Sequence, residues 1–275
     1  MTHFYLTLPS NSSHQFFQDN TMTDFITKLS STIELTNEWE VGLAEIMFPR
    51  SWYTIPKRGL NIDVDYSKCS VKLEPEGSVE ARNCILRIQL KGGFYNSMEQ
   101  LTHELNQSTI RAFSTSRPPI SPPVFSYKDL TRRINISLPT GMGISFPDLL
   151  QSILGLSPHQ NPMYNSTNET ATFKGNMSCD LQAGIHALFV YCDLLQFTHV
   201  GDIKAPLLRV VNSKGDAGDV VTRYYERPRY IPLQKKNFDS IHISIRDDLG
   251  KRILFENGKV LLTLHFRRAH NQYLI

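Results

Sequence analysis

The sequence predicts a mainly β protein, a sandwich or barrel with strands enough for a jelly roll, interrupted in its middle by a small α/β insertion. Three observations carry this. Short runs with period-2 alternation recur at both ends of the chain, turn residues separate them, and two amphipathic helices with capping signals lie close together between residues 92 and 182. With 275 residues the chain can bury a sizeable core, and it is near the upper limit for a single one.

In chain order, FYLTLPS (4–10), DFITKLS (24–30), WEVGLAEIMF (39–48), NIDVDYS (61–67), SVKLEP (70–75) and CILRIQL (84–90) read as extended. In the third of these, Trp39, Val41 and Leu43 alternate with Glu40, Gly42 and Ala44. The texture then changes. Ser97 followed by Gln100 is a capping-box signal, and Met98, Leu101 and Leu105 share the helical face that follows. Ser145 and Asp148 repeat the device before Leu149, Leu150, Ile153 and Leu154, with Gly155 and Pro158 to stop the helix. Between the helices, VFSYKD and RRINISLP are expected to pair around Leu130-Thr131. After residue 183 the β pattern resumes with IHALFVYCDLL, APLLRVV and a final stretch from 238 to 268.

That last stretch raises a question of chemistry, because Asp247 and Asp248 are adjacent at its first bend. Ile241, Ile243 and Ile245 alternate with His242, Ser244 and Arg246 before it; Val260, Leu262, Leu264 and Phe266 alternate with Leu261, Thr263, His265 and Arg267 after it. Asp247-Asp248-Leu249-Gly250 is therefore turn chemistry, and neighbouring residues do not face each other across a substrate as glycosidase carboxylates do at ~5–9 Å. Asn257-Gly258 predicts a tight hairpin, giving three successive strands joined by two turns.

Composition narrows the function classes. The chain is 40% apolar and 20% charged, as a folded globular protein is, and no apolar run approaches the ~20 residues that span a membrane. The first residues lack the basic region and apolar core of a secretory signal, so none of the six Asn-x-Ser/Thr sequons, from Asn11 to Asn176, is expected to carry a glycan. Cys69, Cys84, Cys179 and Cys192 form no CxxC pair, and the nine histidines form no HxxxH or HExxH arrangement. No cofactor and no catalytic residue is predicted. Gly92-Gly93 lacks the spacing of a phosphate loop and reads as a turn feeding a helix. RPPISPP (117–123) contains one PxxP and reads as a stiff loop, with a polyproline ligand as the alternative.

TRYYERPRYIPLQKK (222–236) carries five cations against Glu226 and three tyrosines. Cations with aromatic faces suit single-stranded nucleic acid; tyrosine and arginine also mark the centres of protein interfaces, which is the preferred reading of this arm.

FYLTLPSNSS, NEWEVGLAEIMFPRSWY, VYCDLLQFTHVGDIKAPLLRVV, ERPRYIPLQKKNFDSIHISIRDDLG and FENGKVLLTLHFRR together resemble proteins of Polinton/Maverick elements and related adintoviruses, from residue 4 to residue 268, and specifically their penton, or minor capsid, proteins. The resemblance implies a single jelly roll, which the strand and helix reading places at residues 1–91 and 183–275 with the inserted subdomain at 92–182. It implies a homopentamer at the fivefold vertices of an icosahedral shell, with double jelly-roll trimers of the major capsid protein as neighbours. The protein would be made in the host cytoplasm and reside in the virion capsid. A host receptor is a further partner for the insertion. Long-loop aromatics and arginines then serve assembly, and the candidate interface is Trp52 and Tyr53 in FPRSWYTIP with Tyr224, Tyr225, Arg227 and Tyr230 in the arm. Rival readings are a hexon-like capsid protein, a carbohydrate- or receptor-binding β-sandwich, a cupin-like metalloenzyme and a DNA-organising protein acting through residues 222–236.

Overall fold

The computed structural model of the protein describes residues 2–69, 84–114, 120–182 and 185–269. The first strands are β1 (His3–Pro9), β2 (Asp24–Glu34) and β3 (Trp39–Pro49). The middle holds β4 (Leu60–Asp65), β5 (Ile85–Leu90), α1 (Met98–Phe113), β6 (Val124–Lys128), β7 (Arg133–Leu138), β8 (Gly143–Ser145), α2 (Asp148–Leu154), β9 (Met163–Tyr164) and β10 (Ala171–Lys174). The last part adds β11 (Ala187–Cys192), β12 (Thr198–Val200), β13 (Ile203–Ala205), β14 (Leu207–Asn212), β15 (Val220–Tyr224), β16 (Ile231–Pro232), β17 (Asn237–Arg246) and β18 (Leu261–Arg268).

The chain divides into two compact units, Met1–Trp52 with Ile185–Ile275, and Tyr53–Gly184. In the first, one sheet has the order β1-β18-β3-β15, with β16 also on β3, and the other has the order β14-β11-β17-β2. Counting β15 and β16 as one interrupted strand, the path crosses between sheets at every step except β11 to β14. This is the jelly-roll arrangement. Its core lies between the inner faces. Ile241, Ile243 and Ile245 of β17 and Leu262, Leu264 and Phe266 of β18 are fully buried, each contributing roughly 1.5–3 kcal/mol by leaving water.

The expected turn after β17 forms. The Asp247 carboxylate accepts the N–H groups of Leu249 at 3.0 Å and Lys251 at 2.7 Å, while Gly250 takes the left-handed conformation at φ 74°. The expected hairpin at Asn257-Gly258 does not. β18 pairs with β1 and β3, whereas β17 pairs with β11 and β2, so the segment joining them changes sheets. Ile253 and Phe255 are buried along this crossing instead of forming a third strand. Alternation had marked the buried face without saying which sheet it belongs to.

The boundary expected at residue 92 also moves. β4 and β5 belong to the second unit: its larger sheet runs β5-β4-β8-β9, and Ile62, Val64, Ile88 and Leu90 pack in its own core with Leu101 and Leu105 of α1. A second sheet, β10-β7-β6, contains the predicted hairpin, turned through Asp129–Thr131 and Arg132 at φ 51°. The Ser97 hydroxyl caps α1 by accepting the Gln100 N–H, and Gln100 reaches back to the N–H of Asn96, one residue before the cap. α2 differs from expectation. Pro147 stands at its N-cap without a side-chain bond, because Ser145 is the last residue of β8. The SVKLEP strand at 70–75 lies outside the described residues, as do residues 117–119 of RPPISPP.

Candidate assembly surface

The arm between residues 220 and 232 runs along the free edge of β3. β15 pairs residue for residue from Val220↔Pro49 to Tyr224↔Glu45, the Tyr225 N–H donates to the Ala44 carbonyl at 2.8 Å, and β16 rejoins the same strand at Ile231↔Val41. The residues between bulge outward over Gly42. A Cβ there would lie 2.7 Å from Pro228 Cβ and 3.0 Å from the Arg229 carbonyl oxygen, so only glycine permits this approach without displacement.

Tyr230 anchors the far end of the bulge on the outer face of the sheet. Its hydroxyl lies 2.8 Å from His265 Nδ1 and the Arg267 guanidinium stacks 3.4 Å from its ring centroid, itself held by Glu40 at 2.6 Å. His265 stacks in turn on Tyr5 at 4.3 Å, with the rings 10° from parallel, and meets His3 edge-on. Burial, followed by the nearby His3 and Arg267 charges, lowers the His265 pKa below its ordinary 6.5. The unfolded chain then takes up the proton more readily than the folded one, so this residue's stabilising effect is complete above pH 6.5 and is lost as pH falls through the lowered folded value. Wild-type protein is expected to lose more thermal stability than His265→Gln between pH 7 and pH 5; equal losses by calorimetry would contradict this sign.

The six residues predicted for the interface do not share one environment. Trp52 is buried, packed against Phe255 at 5.6 Å with Arg50 over its ring at 5.2 Å, and so belongs to the core of the first unit. Tyr53 stacks on Phe94 at 4.4 Å within the second unit. Tyr225 is half-buried beneath the Arg209 guanidinium at 3.5 Å, and Tyr230 is held as described. Tyr224 and Arg227 remain exposed, Tyr224 at 73%.

The arm's local charge is smaller than its composition. Lys235 pairs with Asp193 at 2.6 Å, Lys236 pairs with Glu38 at 2.5 Å, and Arg223 donates to the carbonyls of Lys214 and Thr222. Arg227 and Arg229 are left exposed. Five cations in a row are therefore not a free phosphate track, which weakens the nucleic-acid reading.

Two features escaped sequence reasoning because distant segments build them. Asp24 gathers His242 at 2.6 Å, Arg252 at 2.9 Å and Arg246 at 3.8 Å on the outer face of the second sheet. At the β1–β2 edge, Phe4, Ile33, Leu35 and Trp39 line a groove of about 430 Å³ with Glu34 and Arg268 at its rim. Among the described residues no cluster of three or more His, Cys, Asp or Glu side chains is placed to hold a metal. Burial pushes the Cys192 thiol up to about 12 and Cys179 up to about 11, so neither is a ready nucleophile at neutral pH.

Over 98% of its length the chain aligns with the whole of the mavirus penton protein, at a TM-score of 0.52 and 13% identity. It has that protein's fold. A chain of the Sputnik virophage structure is also similar, at a TM-score of 0.45 and 11% identity over 98% of each chain. No protein-family model and no curated protein matches the sequence.

Proposed function

We propose that this chain is a structural protein of a viral capsid, a penton subunit that forms homopentamers at the fivefold vertices of an icosahedral shell encoded by a Polinton-like element. The observation that carries this reading is one jelly roll interrupted between β3 and β11 by a second compact unit, in a chain that shares its fold end to end with the mavirus penton protein. One jelly roll also argues against the major capsid protein of such elements, which needs two. That major protein, as trimers of double jelly rolls, is the neighbour the penton would meet in the shell. In this reading the chain works by binding its own copies and its neighbours, and the arm and edges described above serve assembly, not catalysis.

Light scattering of the purified full chain at several concentrations and salt levels tests the proposal. The expected mass is five times the 31.4 kDa subunit. A trimer would move the assignment to a hexon-like role, and a dimer would favour the binding-module reading, since isologous dimers are the commonest closed assembly.

A further inference from the structure

Opposite edges of the jelly roll carry side chains that its own core covers only in part or not at all. At the β1–β2 edge, Phe4, Ile33 and Leu35 face the core yet are only partly buried, and they line the groove of about 430 Å³ together with Trp39. Glu34 stands exposed on its rim with no ion-pair partner among the described residues. At the other edge, Tyr224 is 73% exposed and Arg227 follows it on the bulge, also without an ion-pair partner among the described residues. The bulge and the groove lie toward the same end of β3, while Tyr224 pairs with Glu45, six residues from Trp39. The bulge passes over Gly42, and Trp39 is three residues away, roughly 10 Å at the ~3.3 Å rise of a strand.

We propose that Tyr224 and Arg227 of one copy dock in the β1–β2 groove of the next copy, the phenol ring against Phe4, Ile33 and Leu35 and the guanidinium on the Glu34 carboxylate. The occupant is a second copy because the two halves are complementary in kind: an apolar groove whose rim holds the exposed Glu34 beside Arg268, and an exposed aromatic beside an arginine without an ion-pair partner among the described residues. Tyrosine and arginine supply apolar area and a planar fork that fits a carboxylate, the chemistry found at the centres of protein interfaces. Knob and groove occupy opposite edges, so one contact cannot satisfy both across a two-fold axis. Each copy is left with a free knob and a free groove, and the contact must propagate until a ring closes. This inference rests on the homopentamer reading and specifies its interface.

Four variants of the full chain test it: Glu34→Arg, Arg227→Glu, the two combined, and Tyr224→Ser. All three positions are exposed, so the fold is expected to survive, and melting curves check this. Sedimentation over a concentration series reads the midpoint of assembly. Each single reversal is expected to raise that midpoint ~10-fold or more, as truncated or reversed charge pairs do at interfaces. The double reversal is expected to return it to within about twofold of wild type, and Tyr224→Ser to raise it ~10-fold, as loss of a hot-spot aromatic does. A wild-type pentamer indifferent to all four variants would overturn this contact alone, leaving the groove to another protein. Single reversals that weaken assembly without recovery in the double variant would overturn the Glu34–Arg227 pairing. A wild type that is monomeric at every concentration would overturn the pentamer reading and this contact together.

Discussion

Phe266→Ala is expected to lower the unfolding free energy by about 3–5 kcal/mol, the range for a buried phenylalanine that leaves a cavity behind. Phe266 is fully buried near the end of β18, between β1 and β3. Its ring stacks on Phe4 of β1 at 4.7 Å, 3° from parallel, and on Phe238 of β17 at 6.0 Å. These three rings belong to both sheets, so the truncation removes contacts across the sandwich and not only within one layer. The sheets cannot collapse onto the gap, because face-to-face packing holds them about 10 Å apart and the backbone hydrogen bonds on either side resist a local shift. A loss of this size is a large share of the 5–15 kcal/mol that holds an ordinary domain folded. Urea unfolding followed by circular dichroism would show a lower midpoint at similar slope, with Phe266→Leu losing less, about 1–1.5 kcal/mol. A loss below about 1 kcal/mol for the alanine variant would mean that the groove end of the sandwich is already loose. Phe4 also lines the β1–β2 groove, so the same substitution is expected to weaken assembly by unsettling the groove floor.

What could be read in advance divides along a physical line. The inward faces of β17 and β18 were legible because a half-buried strand writes its orientation into alternate residues, and the turn at Asp247 was legible because aspartate and glycine do their work within four residues of chain. Partner choice was not legible. The same alternation fits β4 whether it joins the jelly roll or pairs with β8, and the pairing that decides, Asp63↔Ser145, links residues more than eighty positions apart through a strand of only three residues. The arm shows the same limit in charge. Its cations could be counted, but Lys235 is neutralised by Asp193 and Lys236 by Glu38, acids brought near only by the sheet order. Trp52 stands in a loop-like run, FPRSWYTIP, which fits a surface anchor as well as a side chain packed beneath its own loop; Phe255, about two hundred residues later, supplies the wall that buries it. Tyr224 and Arg227 were named because a run rich in tyrosine and arginine is itself a local property. Glu34 was not, because the groove it borders exists only when the ends of β1, β2, β3 and β18 meet.

Gly42→Leu is expected to dislodge the arm while leaving the sheet beneath it intact, at a cost of about 1–3 kcal/mol in stability, the usual penalty for forcing extra carbon into a packed site. Even the first added carbon would sit 2.7 Å from Pro228 Cβ, 3.0 Å from the Arg229 carbonyl oxygen and 3.3 Å from Tyr230 Cδ1. None of these can swing aside as the tip of a long side chain can: one is a proline ring, one is backbone, and the third belongs to a ring clamped between His265 and Arg267. The bulge itself must lift, and the Tyr230–His265 hydrogen bond goes with it. Two further readouts then separate this from simple destabilisation. The extra acid sensitivity attributed to His265 should shrink, since lifting Tyr230 opens the imidazole to water and relieves the burial that lowers its pKa. Assembly should weaken as strongly as in Tyr224→Ser, because Arg227 sits on the displaced bulge and Tyr224 at its root. Gly93→Ala is the control. A Cβ there meets nothing nearer than Tyr95 at 3.8 Å, ordinary contact, so its melting temperature and assembly should stay close to wild type. If Gly42→Leu also melted and assembled like the wild type, the bulge would be a compliant loop, and its hold on Tyr230 could not be what positions Arg227 for a neighbouring copy.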